Sequence, residues 1–258
     1  MNTTLIKLGG SVITKKSEAE PVLNKQNLSR ISEEIASSLQ AQKFNLVIVH
    51  GAGSYGHPIS SKHKLAQGIS DDFIPVSKCQ ALMNELNSFI CKELNEKNIP
   101  AFPFQLSSTT TSTDGKIIIN TDLINNLLSK RMVPVLFGTP AIDDNKGCSI
   151  ISGDQIISNL SSQLNASKVV FATNVDGMFT ADPSKENSEL LKSLSAEQLK
   201  EISAEESKDA DVTGGMKGKL EWILKMSNLT CQVVNGNTQN NIKEALLGNE
   251  SIGTVIKL

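Results

Sequence analysis

Cysteine is scarce and unpaired in this chain: Cys79, Cys91, Cys148 and Cys231 are the four among 258 residues, and no two form a C-x-x-C. Such spacing argues against a zinc site and against a disulfide framework. It leaves four buried or neutral thiols in a reducing compartment. Charge of one sign is missing as well, since 25 Lys and Arg against 27 Asp and Glu give a net charge of -2. No global field therefore recruits nucleic acid or an anionic membrane, and an anionic ligand must be held by local positive charge. No run approaches the about 18 apolar residues that span a bilayer. The opening MNTTLIKLGG has neither the charged n-region nor the apolar h-region of a secretory leader. A cytoplasmic protein with no membrane and no nucleic-acid partner is expected. Repeats and flexible Gly/Ser linkers are absent too, while 39% hydrophobic and 20% charged residues match an ordinary globular protein.

Short apolar runs alternate with longer amphipathic stretches from end to end, the pattern of an α/β protein with a mainly parallel sheet. Strands are predicted over 4–8, 45–50, 101–105, 133–137, 168–173, 231–235 and 254–258. Between them, Leu28, Ile31, Ile35 and Leu39, and then Leu82, Leu86, Ile90 and Leu94, each make one apolar helix face. Further helices are predicted over 121–130, 154–164, 215–226 and 240–246. The Ser/Thr run from 107, followed by Asp114-Gly115 and Ile117 to Ile119, predicts a hairpin, and 145–151 is an irregular strip of similar kind. Residues 176–195, with Asp182-Pro183, read as a surface loop.

Four glycine turns follow strands or open helices, where exposed backbone N–H groups cradle phosphate. They are Lys7-Leu-Gly9-Gly10-Ser11, Gly51-Ala-Gly53-Ser54-Tyr55-Gly56-His57, Ser152-Gly153-Asp154 and Thr213-Gly214-Gly215-Met216-Lys217. A single such turn is usually only a tight connection; four in one chain point to phosphate chemistry. Gly51, Gly53 and Gly56 also spell G-x-G-x-x-G. However, His57 and Pro58 stand where a Walker A loop needs Lys and Ser/Thr. Pro58 and the polar stretch 60–68 likewise argue against the helix of a Rossmann unit, although Asp71 or Asp72 lies at the distance of its acid. Lysines strengthen the phosphate reading, because a transferring phosphoryl group is mainly positioned and neutralised. Lys7 ends an apolar run, Lys16 lies just beyond the first loop, and Lys217 follows the last glycine pair. His50, on an apolar strand, reads as structural, and His63, in a Lys-flanked polar run, as solvated.

Taken together, K-L-G-G-S, H-G-A-G-S-Y-G-H-P, I-I-S-G-D, T-N-V-D-G-x-x-x-x-D-P and D-V-T-G-G-M-K resemble the amino acid kinase family over nearly the whole chain. The resemblance implies an α/β fold, a three-layer αβα sandwich around a mostly parallel twisted sheet. It also implies a single domain over 1–258, with an acceptor-binding lobe at 1–150 and an ATP-binding lobe at 151–258, working as a homodimer on ATP and Mg²⁺. Carried over by motif, Lys7 and Lys16 would stabilise the phosphoryl group in flight, and Gly9, Gly10, Ser11 and Gly153 would line the transfer site. Lys217, with Gly214 and Gly215, would reach the ATP phosphates. Asp154 would hold the lysines, a role compatible with capping its helix. Thr173, Asn174, Asp176, Gly177 and Asp182 would surround the nucleotide.

His57 narrows the resemblance to members that phosphorylate isopentenyl phosphate. Fosfomycin kinases share that histidine, and uridylate kinases are a third alternative. By this resemblance His57 would donate a hydrogen bond to the acceptor's monophosphate, with backbone N–H groups of Gly53 and Ser54 on the same oxygens and Gly56 among the substrate-binding residues. Val76, Cys79, Gln80 and Met83 share one helix face that would line an apolar acceptor pocket. Two positions depart from the family pattern: after the strand at 133–137 Thr139 replaces the Asp of the usual Gly-Asp, and Asn174 replaces the Asp of T-D-V-D-G. A fold retained only for binding nucleotide is the alternative from another class; the joint presence of Lys7, Lys16, Asp154 and Lys217 argues against it.

Overall fold

The computed structural model describes residues 1–15, 20–181, 183, 185, 187–206 and 217–258, the side chains of 204–206 and 217 excepted. The predicted apolar runs become strands of one central sheet, made of β1 (Thr3–Leu8), β2 (Asn45–His50), β3 (Ala101–Pro103), β6 (Val133–Phe137), β9 (Lys168–Thr173), β12 (Ser193–Ser195), β13 (Thr230–Asn235) and β14 (Thr254–Lys257). Its spatial order is β12-β14-β13-β9-β1-β2-β6-β3. Every neighbouring pair from β3 across to β13 is parallel; β14 then runs antiparallel to β13, and β12 follows β14. A smaller sheet holds β4 (Ser112–Thr113), β5 (Lys116–Ile117), β7 (Thr139–Asp143) and β8 (Gly147–Ile151). A two-stranded ribbon pairs β10 (Met178–Phe179) with β11 (Leu190–Leu191).

The two-residue period of the strands sorts side chains onto two helical layers. Leu5, Val49, Val169, Phe171 and Val233 lie in one buried cluster with α5 (Asp122–Ser129), α6 (Gly153–Gln163), α7 (Ala196–Glu206) and α8 (Lys217–Ile223). Ile6, Leu8, Ile48, Val170 and Val234 lie in the other, with α1 (Gly10–Ile13), α2 (Lys25–Ala41), α3 (Gly53–Lys62), α4 (Ile74–Glu96) and α9 (Asn241–Leu247). The result is the expected αβα sandwich. All four cysteines are free and buried. Among the described residues, no helix is long and apolar enough to cross a membrane.

Local chemistry explains where the expectations hold and where they shift. Asp114 (φ 52°) and Gly115 (φ 78°) both adopt left-handed backbone between β4 and β5, as the tight turn of the predicted hairpin requires. The strand expected over 101–105 stops at Pro103, which lacks the N–H that a ladder needs, and a 3₁₀ turn follows at Leu106–Ser108. Residues 145–151 are largely ordered as β8, the partner of β7. The surface loop expected over 176–195 contains β10, β11 and β12, strands too short to announce themselves by alternation. Pro58 does not prevent a helix at 53–62, because α3 runs through it. Ser152, not Asp154, caps α6: its hydroxyl accepts from Gln155 N–H at 3.0 Å.

Candidate active site

Lys7 ends the buried stretch of β1 on the Leu5 face, in register with Val49 of β2 and Phe171 of β9. The alternation that buries Leu5 therefore sends the Lys7 side chain beneath the start of α6. There Lys7 Nζ donates to Asp154 Oδ2 at 2.5 Å, and Lys219 Nζ of α8 reaches Asp154 Oδ1 at 3.3 Å. Lys219 Nζ also lies 5.0 Å from the centre of the Phe171 ring, a cation–π contact. Burial, then the Lys219 charge, brings the Lys7 pKa down to about 8 against the pull of Asp154. For Asp154, burial works to raise the pKa, but the charges of Lys7 and Lys219 outweigh it and the net shift is downward. The carboxylate thus keeps two like charges side by side without a ligand.

Backbone approach requires glycine beside these charges. A Cβ on Gly10 would lie 2.3 Å from Gly53 N, and Gly53 itself sits at φ 50° with Thr14 against it. The loops after β1 and β2 thereby touch, and Thr14 ties them by donating to Gly10 O at 2.7 Å and accepting from Ser54 N–H at 3.1 Å. The start of α6 completes the rim, its first backbone N–H groups lacking intrahelical partners.

These elements enclose one cleft of about 1340 Å³. Of the expected residues it brings together Lys7, Gly9, Gly10, Ser11, Gly53, Ser54, Gly56, His57, Cys79, Met83, Gly153, Asp154, Thr173, Asn174 and Gly177. His57 is solvent-exposed on the wall, where partial desolvation and then the charge of Lys7 lower its pKa. Ser11 Oγ donates to Asn174 Oδ1 at 3.3 Å across the two halves. The Ser54 N–H, expected to bind phosphate, is engaged by Thr14, and its hydroxyl accepts from Val22 N–H at 3.0 Å. Val76 is buried in the core, so the expected helix face contributes Cys79 and Met83 only. Gln80 instead donates to Ser107 Oγ at 2.7 Å and to Pro140 O. Asp176 is set back from the cleft and accepts from Asn235 Nδ2 at 2.9 Å. Lys16, Asp182, Gly214 and Gly215 lie outside the described residues, as does the Lys217 side chain.

His50 is fully buried: its Nδ1–H donates to Gly51 O at 3.0 Å, Nε2 accepts from Asn87 Nδ2 at 3.1 Å, and its ring stacks on Phe137. Burial pushes its pKa down to about 4, so it is a neutral structural histidine. Lys219, Thr14 and Asn237 line the cleft without having been singled out in the sequence. Lys219 had a signal, a second lysine two residues beyond the motif that ends at Lys217.

A model of the amino acid kinase family matches residues 2–235. The chain belongs to the amino acid kinase family. Within it, the chain is 35% identical to the isopentenyl phosphate kinase of Methanothermobacter thermautotrophicus over 98% of each. Its identity to the isopentenyl phosphate kinase of Methanocaldococcus jannaschii is 37%, again over 98% of each. An isopentenyl phosphate kinase solved by X-ray crystallography superposes with a TM-score of 0.85 at 32% identity, covering 98% of this chain and 100% of its own. The UMP kinase of Bacillus anthracis shares the fold, with a TM-score of 0.69 at 18% identity over 99% of this chain and 96% of its own. Amino acid kinases are phosphotransferases, and the lysine-flanked carboxylate facing glycine loops suits that chemistry.

Proposed function

We propose that this amino acid kinase transfers the γ-phosphoryl group of ATP to isopentenyl phosphate, giving isopentenyl diphosphate and ADP. The observation that carries the reading is the Lys7–Asp154–Lys219 cluster sharing one cleft with His57 and the glycine loops; the full-length similarity to isopentenyl phosphate kinases supports the choice of acceptor. An oxygen of the acceptor phosphate attacks the γ-phosphorus in line, the new P–O bond forms, and the bond to the β,γ-bridging oxygen breaks with ADP leaving. The acceptor is already ionised near neutral pH and needs no general base, so positioning and charge compensation supply the acceleration. Lys7 and Lys219 neutralise the moving phosphoryl group while Asp154 fixes them. His57 donates one N–H to the acceptor's phosphate.

The lobes divide the work at residue 150, the acceptor on the N-terminal side and ATP on the C-terminal side. Asn174, Gly177 and Lys219 serve the nucleotide, with Asp182, Gly214, Gly215 and Lys217 assigned to it by motif and Lys16 assigned by motif to the phosphoryl group in flight. Among the described residues no three carboxylate, imidazole or thiolate groups converge as a metal site, and Asp154 is taken up by two lysines. Mg²⁺ would enter as MgATP and would supply charge neutralisation on the phosphates. A cytoplasmic homodimer completes the proposal, on the family resemblance and the four buried free thiols.

The test is ADP release with MgATP and isopentenyl phosphate, run beside fosfomycin and UMP. An advantage for isopentenyl phosphate of orders of magnitude in kcat/KM is expected. A larger kcat/KM for either competitor would move the acceptor assignment to that compound, and light scattering reads the dimer.

A further inference from the structure

Thr139 opens β7 immediately after Gly138, only 2% exposed, and lines the cleft. Its Oγ1 is shielded from solvent in this rotamer and has no hydrogen-bond partner among the described residues. Burying a hydroxyl unpaired is costly, so a ligand that fills its bonding capacity would relieve that cost. Backbone contacts fix where it sits: Thr139 is in register with Ile151, and Gly138 N–H donates to His50 O at 3.1 Å. A Cβ on Gly138 would lie 2.9 Å from Gly153 N, and one on Gly153 would lie 3.2 Å from Lys7 Cε. The Gly138–Thr139 corner thus abuts the start of α6 and, through Gly153, the Lys7 side chain. Neighbouring parts of that wall are Cys79, Met83, Pro140 and Ile150, none of which carries a strong side-chain donor.

We infer that Thr139 is a specificity-determining residue whose buried, unpartnered hydroxyl turns about χ1 toward the cleft when the acceptor binds and donates a hydrogen bond to one of its phosphate oxygens. The inference rests on the phosphate-acceptor reading of the site. A hydroxyl suits the position because it can donate to an anion without adding charge of its own. Because the bond forms in the ground state and persists through transfer, its loss falls on acceptor binding.

Thr139→Val removes the hydroxyl at nearly constant shape, and Thr139→Ser retains it. With isopentenyl phosphate as the varied substrate, Thr139→Val is expected to raise KM about tenfold or more, as for loss of a hydrogen bond to a charged group. The same variant should leave kcat and the KM for ATP within about twofold, and Thr139→Ser should stay close to wild type. The ligand-free melting temperature of Thr139→Val should hold or rise, since no intramolecular bond is lost, while the shift induced by isopentenyl phosphate shrinks. An unchanged acceptor KM in Thr139→Val, an equal defect in Thr139→Ser, or a ligand-free melting temperature several degrees lower would each overturn the inference. Wild-type enzyme run in parallel separates the two claims. If it prefers fosfomycin or UMP, the acceptor assignment fails and the Thr139 effect is read on that acceptor. If it turns over none of the three, both fall.

Discussion

Lys7 and Asp154, 147 residues apart in the chain, meet at 2.5 Å. β1 and the start of α6 are brought together by the sheet, and the carboxylate then collects a second ammonium, Lys219, at 3.3 Å. The arrangement leaves one positive charge in excess inside a mostly apolar wall, a standing attraction for phosphate.

Replacing Asp154 by Asn keeps the shape and removes the charge that holds the lysines together. The ammonium groups then repel with less compensation and lose their fixed aim at the cleft. We expect kcat/KM to fall by roughly 10²- to 10³-fold, the order seen when one preorganised electrostatic group is lost. Melting temperature should fall as well, because two largely buried ammonium groups lose their counter-charge, so rates are compared well below the transition. Activity within threefold of wild type would remove Asp154 from the machinery.

Lys7 sets an alkaline limit. Its pKa of about 8 in the free enzyme means that the ammonium disappears as pH rises through that value, so kcat/KM should decline above about pH 8. The apparent pKa belongs to the coupled cluster with Asp154 and Lys219. In kcat the decline should begin at higher pH, since bound phosphates hold the proton. Stability has the opposite sign: between about pH 8 and the ordinary lysine value of 10.5 the unfolded chain binds this proton better than the folded one. The Lys7 contribution to stability therefore rises with pH across that window. Profiles for wild type and Lys7→Arg check this, because arginine does not titrate there; a wild-type kcat/KM flat to pH 9.5 would refute it.

Gly10 tests the close approach of the two loops. A methyl group there would meet backbone, Gly53 N at 2.3 Å and Gly53 Cα at 2.6 Å, and neither can swing aside as a side-chain end could. Gly10→Ala should cost about 2 kcal/mol or more of stability and depress kcat/KM through displacement of the Gly53 loop. Urea denaturation and steady-state rates measure the two effects. Full activity at full stability would show that the loops yield freely.

How much could be read in advance depended on what kind of signal each feature carries. The apolar runs around Leu5, Val47 and Val169 announced buried strands, and Leu28–Ile31–Ile35 announced a helix face, because periodicity is a local property of the chain. Lys7 and Asp154 were legible as candidates through their motifs, and the fold brings both to one cleft. That Lys219 joins them was not, since residues two apart on a helix differ by about 200° in direction and residue type alone does not supply that rotation. Ser54 marks another limit: its motif indicated phosphate, while its N–H is taken by Thr14, a bond set by how two loops dock. The strands β10, β11 and β12 were missed because two or three residues make no period.

Glu34 provides a prediction about the scaffold. Its carboxylate, on α2 and 5% exposed, accepts from the backbone N–H groups of Asn240, Ile242 and Lys243 at 2.9, 3.1 and 3.2 Å, and it pairs with Arg30. One side chain therefore satisfies the otherwise orphaned donors at the start of α9 and fastens that helix to α2. Glu34→Ala leaves three buried or half-buried N–H groups and the Arg30 guanidinium without their acceptor. The expected loss is about 3 kcal/mol, which for a chain of this size lowers the melting temperature by roughly 10 °C. Glu34→Gln should recover part of it, since an amide retains one oxygen acceptor. Calorimetry and urea melts decide the matter, and kcat measured well below the transition should stay within twofold of wild type because Glu34 does not line the cleft. A melting temperature unmoved by Glu34→Ala would mean that α9 is held by its apolar contacts, Ile242, Ala245 and Leu246, alone.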